Sequence, residues 1–119
     1  MHEIRSDRTK NRLYITLGGF SSTDQIEQTV REVKEAVTQL KTGFDVITDV
    51  SGYKPALPEI AQAIQQMQVF LKQSGMRRVV RVTGPSVITT MQFNRLGKAS
   101  GYQAEAVASV AEAEKLLEE

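Results

Sequence analysis

One stretch near the middle of the chain limits the choice of fold most strongly. Residues 44–52 read Phe-Asp-Val-Ile-Thr-Asp-Val-Ser-Gly, a mostly apolar run that ends in polar turn residues. Residues 53–58 follow with two prolines, Pro55 and Pro58, and a helical pattern begins directly after them. This order predicts a buried strand, a loop and the N-terminus of a helix. In open α/β folds, binding sites lie beyond the carboxyl ends of such strands, so the loop is the first candidate for a site.

Strand and helix patterns alternate on both sides of this stretch. Residues 12–17 alternate apolar and polar side chains, and together with residues 2–7 they predict a hairpin. Apolar residues at spacings of three and four predict a helix over residues 22–40, and Pro58 fits the first position of a second helix. Four further elements are predicted: a strand over 76–83, a helix over 87–100, a strand over 103–108 and a last helix opened by Ser109 and Glu112.

The alternation of strands and helices indicates an α/β fold. We expect one domain over residues 1–119, built on a mostly parallel sheet of four or five strands with an N-terminal hairpin and about four helices. Right-handed crossovers would place the helices over the sheet.

Composition excludes several classes of function. The chain has no cysteine, which rules out disulfides, thiol nucleophiles and thiolate metal sites. Its 15 basic and 14 acidic residues give a formal charge of +1, without the basic excess typical of nucleic-acid binding. The N-terminal residues do not resemble a signal peptide, and no apolar run reaches the ~20 residues that span a bilayer. We therefore expect a cytoplasmic domain that neither inserts into membranes nor binds nucleic acid.

The second helix has a broader apolar face than a helix packed on one side requires. Its main stripe is widened by Ala61, Ala63, Val69 and Phe70. Packing on two sides explains this breadth, and so does an apolar surface kept for a partner. We favour packing.

Three arginines make the strand at residues 76–83 unusual. Arg77, Arg78 and Arg81 occur among its valines. The favoured interpretation is an edge strand or an outer face with solvated arginines, because charged side chains are rarely buried. The alternative is an anion site that combines Arg81 with Arg95 and Lys98, helped by backbone N–H groups around Gly84 and Ser86.

No catalytic constellation is visible. His2 is the only histidine, stands near the N-terminus and has no evident partner, so neither a catalytic triad nor a histidine metal site is expected. Asp45 and Asp49 are about 13 Å apart along a strand, too far for a pair of glycosidase carboxylates. We expect Asp49, with Ser51, to accept backbone N–H bonds in the loop. No enzyme activity and no cofactor are predicted.

The succession of elements resembles the STAS domain, the small fold of bacterial anti-sigma-factor antagonists and sulphate-transporter tails. Residues 46–52 resemble the family's strand that ends in Asp-Leu-Ser-Gly, and residues 79–86 resemble its next strand, which ends in Gly-Pro-Ser. Residues 96–102 and 109–117 resemble its late helix, turn and closing helix. The resemblance covers nearly the whole chain from Arg12 onward and implies a STAS-like layer fold.

The same resemblance exposes a missing motif. Signalling members carry Asp-Ser-Ser-Gly at the N-terminus of the next helix, and one of its serines is phosphorylated by a partner kinase. In this chain the motif falls on Leu57, Pro58, Glu59 and Ile60, without a hydroxyl group. The usual phosphorylation switch is therefore not expected, and Ser51 matches a structural serine of the family pattern.

Two hypotheses of function follow. The first is a non-enzymatic regulatory or interaction module that binds another protein or a second copy of itself through Tyr53, Lys54, Leu57 and Glu59. The second is a domain that binds a small ligand or an anion with Arg81, Gly84, Ser86 and Arg95.

Overall fold

The computed structural model describes residues 2–19, 23–52, 58–83 and 105–118, which form one five-stranded sheet and three helices. The strands are β1 (Glu3–Asp7), β2 (Arg12–Thr16), β3 (Asp45–Asp49), β4 (Val79–Val82) and β5 (Glu105–Val107). The helices are α1 (Thr23–Val37), α2 (Pro58–Gln73) and α3 (Val110–Leu117). The predicted α/β fold is confirmed at this level. The predicted helix over residues 87–100 lies outside the described residues.

The strands lie in the sheet in the order in which they occur along the chain. β1 and β2 are antiparallel, and β2, β3, β4 and β5 follow in parallel. The N-terminal hairpin and the mostly parallel sheet are therefore as predicted. Asn11 has a φ of 53° in the hairpin turn, and its side-chain amide exchanges two hydrogen bonds with the backbone of Lys41, at 3.1 and 2.8 Å. This contact fixes the hairpin to the loop that precedes β3.

The larger core lies between the sheet and the pair α1 and α2. Alternation along each strand turns every second side chain to this side, which we call the α1/α2 face. The buried apolar residues of the cluster are Leu13, Ile15, Leu17, Ile26, Val33, Phe44, Val46, Val50, Ile60, Ile64, Met67, Leu71 and Val79. The opposite side, the α3 face, has a smaller cluster of Ile47, Val80, Val82, Ala113 and Leu117.

Packing explains part of the breadth of the apolar side of α2. Ile60, Ile64, Met67 and Leu71 are buried as the main stripe predicts. Ala63 and Phe70 are half-buried and pack against the same core, while α1 lies alongside α2. This outcome agrees with the favoured interpretation. None of the helices in the described ranges is long and apolar enough to cross a membrane.

Local signals set the ends of the helices. The Glu112 N–H donates to the Ser109 hydroxyl at 3.2 Å, and the Glu112 carboxylate accepts from the Ala108 N–H at 3.0 Å, which confirms the predicted start of α3. The helix α1 ends at Val37, three residues before the end of its apolar stripe. The Thr38 hydroxyl donates to the Glu35 carbonyl at 2.6 Å there, in competition with the regular helix bond. Leu40 still packs against the core beyond the helix.

The strand β4 corrects one sequence interpretation. Its four residues are all buried, and it lies between β3 and β5. The expectation of an edge strand with solvated arginines is wrong for Arg81, because neighbouring strands flank β4 on both sides. Among the described residues the edge strands are β1 and β5, and Glu105 and Ala106 of β5 are exposed.

Candidate functional site

The carboxyl ends of β2, β3 and β4 lie side by side, and the candidate site is at this edge of the sheet. The Leu17 N–H donates to the Asp49 carbonyl and the Val50 N–H donates to the Val82 carbonyl, both at 2.9 Å. These bonds extend the parallel register past the last ladder residues. The loops that leave the three strands therefore start from one line at the edge of the sheet.

Asp49 shapes the loop that leaves β3. Its Oδ1 atom accepts the Ser51 N–H at 3.0 Å and the Ser51 hydroxyl at 2.7 Å. This is the local turn that the sequence predicts for an aspartate two residues before a serine. The Asp49 carboxylate and the Ser51 hydroxyl are thus bound to each other, and Ser51 has a structural role in this turn.

The loop beyond this turn begins and ends at the protein surface. Ser51 and Gly52 are exposed at one end, and Pro58 and Glu59 are exposed at the other. Glu59 lies in the first turn of α2, where its negative charge is favourable. Of the predicted partner-binding residues, Glu59 is thus on the surface, whereas Tyr53, Lys54 and Leu57 lie outside the described residues.

Arg81 is buried on the α1/α2 face, with 2% of its surface exposed. Its neighbours across the sheet in the same register are Thr48 and, beyond it, Ile15. A buried guanidinium requires compensation, and Arg81 does engage another group. Thr48 is also buried, and its Oγ1 atom has no hydrogen-bond partner within the described part of the chain.

The predicted anion site combines Arg81 with residues of the following segment. Gly84, Ser86, Arg95 and Lys98 lie outside the described residues. What the structure does bring together is a polar strip inside the apolar face, made of Thr48 and Arg81 on neighbouring strands. Sequence patterns alone did not reveal Thr48, because a threonine in a strand is an ordinary residue.

The three arginines of the β4 segment do not act together. Arg77 binds Asp45 through two hydrogen bonds of 2.9 and 2.6 Å, at the amino end of the sheet. These bonds and the negative charge of Asp45 raise the pKa of the Arg77 guanidinium. Arg78 instead binds Glu105 at 2.8 Å and the carbonyl of Leu116 at 3.2 Å, near the end of α3. Each therefore has a structural contact of its own.

A second polar group that the sequence did not suggest lies on the α3 face. The Tyr14 hydroxyl donates to Glu114 of α3 at 2.9 Å and accepts from the Arg12 guanidinium at 3.3 Å. The guanidinium of Arg5 stacks 4.0 Å from the centre of the Tyr14 ring. Arg12 is only 4% exposed, and its Nε atom has no partner among the residues described. Alternation along β2 places Arg12 and Tyr14 on one face, and this was the only sequence signal.

His2 has a partner, contrary to the sequence expectation. Its Nδ1 atom accepts the Gly18 N–H at 3.2 Å, which ties the residue before β1 to the end of β2. Burial lowers the pKa of His2, while Glu32 acts in the opposite direction. An accepting Nδ1 must be unprotonated, which agrees with the lowered value. Within the described ranges, no group of three or more histidine or carboxylate side chains is placed to hold a metal ion.

No protein-family model matches the chain, and neither does any curated protein.

Proposed function

We propose that the chain is a STAS-like, non-enzymatic interaction module that contacts a partner protein through Tyr53, Lys54, Leu57 and Glu59. The observation that carries the proposal is the surface position of both ends of this loop, at the carboxyl edge of a parallel sheet. Loops at this edge are where α/β domains bind their ligands. Tyr53 and Leu57 would supply the apolar anchors, since a few such residues dominate the energetics of most interfaces.

The contacts of Ser51 support a module without the usual phosphorylation switch. The Ser51 hydroxyl is 2.7 Å from a carboxylate oxygen of Asp49. A phosphoryl group on Ser51 would break this turn and place its negative charge against that carboxylate. The equivalent of the family's phosphorylated motif has no serine either. The partner would therefore bind constitutively, or under control exerted on the partner.

The test replaces Tyr53 and Leu57 by alanine in one variant. The matched control is Val110→Ala, because Val110 is a large apolar residue that is 37% exposed on α3 and is not part of the proposed contact surface. Mass spectrometry of cross-linked complexes from the source cytoplasm, together with light scattering, would measure partners and self-association. We expect the loop variant to lose a complex that the control retains. Identical profiles for the wild type and both variants would refute the proposal.

A second candidate function is the binding of a small anion beside Arg81. The buried Oγ1 atom of Thr48, which lacks a partner among the described residues, lies in register with Arg81 and favours this candidate. Gly84, Ser86 and Arg95 would complete the site. Phosphate or a nucleotide at ten times its dissociation constant should stabilise the fold by about 1.4 kcal/mol, as measured by thermal shift.

The matched variants for this second candidate are Arg95→Gln and Arg31→Gln. Arg31 is exposed on α1, where its contact is with Gln28. We expect Arg95→Gln to abolish the thermal shift and Arg31→Gln to retain it. The absence of any shift at millimolar phosphate or nucleotide would exclude the site.

A further inference from the structure

The outer edge of β1 is a free sheet edge among the described residues. β1 pairs with β2 on one side and ends the strand order on the other. Its five residues contain no proline, so the backbone groups along that edge include regular donors and acceptors. Such an edge accepts an additional strand from another polypeptide by main-chain hydrogen bonding.

A groove runs along α1 beside the first residues of β1. One hollow of about 470 Å³ is lined by His2, Glu3, Ile4, Glu32, Glu35, Ala36 and Gln39. A second of about 330 Å³ is lined by His2, Asp24, Gln25, Gln28, Thr29 and Glu32. His2 and Glu32 line both hollows, which are therefore adjacent, and we call the two together the β1 groove. From Asp24 to Ala36 it follows α1 for about 18 Å, the length of five or so extended residues.

The β1 groove is acidic although the whole chain is nearly neutral. Three exposed carboxylates of α1 line it, those of Asp24, Glu32 and Glu35. The basic residues of α1 do not offset them within the groove. The ammonium group of Lys34 lies 5.5 Å from the centre of the Phe70 ring on the side of α2, and neither hollow is lined by Arg31. The charge of the groove therefore favours a cationic occupant.

We propose that an extended, lysine- or arginine-containing segment of a partner protein adds to β1 as a sixth strand. Its alternate basic side chains would lie in the β1 groove, against the carboxylates of α1. Half-buried Ile4 and Ala36 provide the apolar floor between them. No residue that lines the β1 groove belongs to the surface proposed above, so this proposal goes beyond the proposed function.

A second copy of the chain fits this edge less well. Antiparallel pairing of two β1 strands would bring both copies of α1 to the same side of the joined sheet, next to each other. Glu32 and Glu35 of each copy would then approach their equivalents, and like charges at close range are unfavourable. The charge pattern therefore selects a basic segment rather than self-association.

The probe is a fluorescent, capped ten-residue peptide that alternates lysine and valine. Fluorescence anisotropy with the full chain measures its affinity, and comparison peptides carry glutamate for lysine or N-methyl groups on alternate residues. We expect binding of the lysine peptide alone, because the glutamate peptide repels the groove and N-methylation removes the strand hydrogen bonds. Amide exchange should slow in β1 on binding and remain unchanged in the central strand β4.

The decisive variant is Glu32→Gln with Glu35→Gln, and its matched control is Glu27→Gln. Glu27 is an exposed residue of α1 that does not line either hollow. The double variant loses two exposed ion pairs with the peptide, so its affinity should fall about 2- to 30-fold. The Glu27→Gln variant should bind the peptide as tightly as the wild type does. All variants should keep their melting temperatures, because these side chains are on the surface.

Three results would overturn the proposal. The first is that the N-methylated peptide binds as tightly as the lysine peptide. The second is that Glu27→Gln weakens binding as much as the double variant does. The third is that the slowing of amide exchange appears outside β1. A dimer that forms through β1 and excludes the peptide would overturn it as well. Replacement of Tyr53 and Leu57 by alanine should leave peptide affinity unchanged, so failure of the loop proposal and failure of this one can be told apart.

Discussion

Gly75 provides a sharp test of the packing between the loops at the amino end of the sheet. It has a φ of +93°, and a Cβ atom added there would lie 2.6 Å from the Thr42 Cγ2 atom. Gly43 has nearly the same φ, +92°, but a Cβ atom there would meet nothing within 4 Å. The two glycines therefore separate the cost of backbone conformation from the cost of a steric clash.

The expected magnitudes follow from these two terms. Alanine at a left-handed position costs about 1–2 kcal/mol, partly offset by about 0.4–1 kcal/mol from the stiffer unfolded chain. Gly43→Ala should therefore lower the free energy of unfolding by about 0.5–1.5 kcal/mol. Gly75→Ala should cost a further 1–3 kcal/mol or so, because the contact with Thr42 is overpacked.

Urea denaturation of four proteins measures the clash directly. They are the wild type, Gly75→Ala, Thr42→Ala and the double variant, with Gly43→Ala as the control for backbone strain. Thr42→Ala removes the Cγ2 atom, so it should recover most of the additional loss and give a coupling energy of about 1–3 kcal/mol. Equal losses for the two glycine variants, or no recovery with Thr42→Ala, would refute the reasoning.

The remaining predictions concern buried polar groups. Burial lowers the pKa of His2 below its ordinary 6.5, so the unfolded state binds more protons and the free energy of unfolding should fall as the pH drops from 7 toward 5. Urea unfolding at both pH values measures this fall, and His2→Gln should reduce it. Thr48→Val removes a buried hydroxyl that lacks a partner in the described chain. The free energy of unfolding should therefore rise by up to about 1 kcal/mol, and the melting temperature should rise with it. Tyr14→Phe should cost about 1–2 kcal/mol in the same assay, and Arg12→Met in that background should recover stability by removing an uncompensated buried charge.

The periodic elements of this fold follow from local sequence. The alternation in β2, the apolar run of β3 and the stripes of α1 and α2 each depend on a repeat of 2 or 3.6 residues, which short segments already contain. The start of α3 is equally local. The Ser109 hydroxyl accepts the Glu112 N–H, and the Glu112 carboxylate accepts the Ala108 N–H. The Asp49 turn is local too, since its partner Ser51 is two residues away.

The ends of elements were less predictable than their existence. The stripe of α1 continues to Leu40, but the helix ends at Val37, where a threonine hydroxyl competes for a carbonyl. In the β4 segment, residues 76–83 share a strand-like composition, and only Val79–Val82 form the strand. The residues before the strand instead bind groups of neighbouring elements. The Arg77 N–H donates to the Phe44 carbonyl, and the side chains of Arg77 and Arg78 form ion pairs with Asp45 and Glu105.

What the tertiary structure decided is the environment of each polar side chain. Arg81 is buried on one face of the internal strand β4, and a one-dimensional pattern does not say which strands are neighbours or which face of a sheet is covered. Asp45 meets Arg77, and Tyr14 meets Glu114, across 32 and 100 residues of chain. The acidic groove beside β1 likewise combines residues of a strand and a helix. The sequence alone determined the elements, because their signals are local, whereas the sites depend on contacts that exist only after those elements have packed.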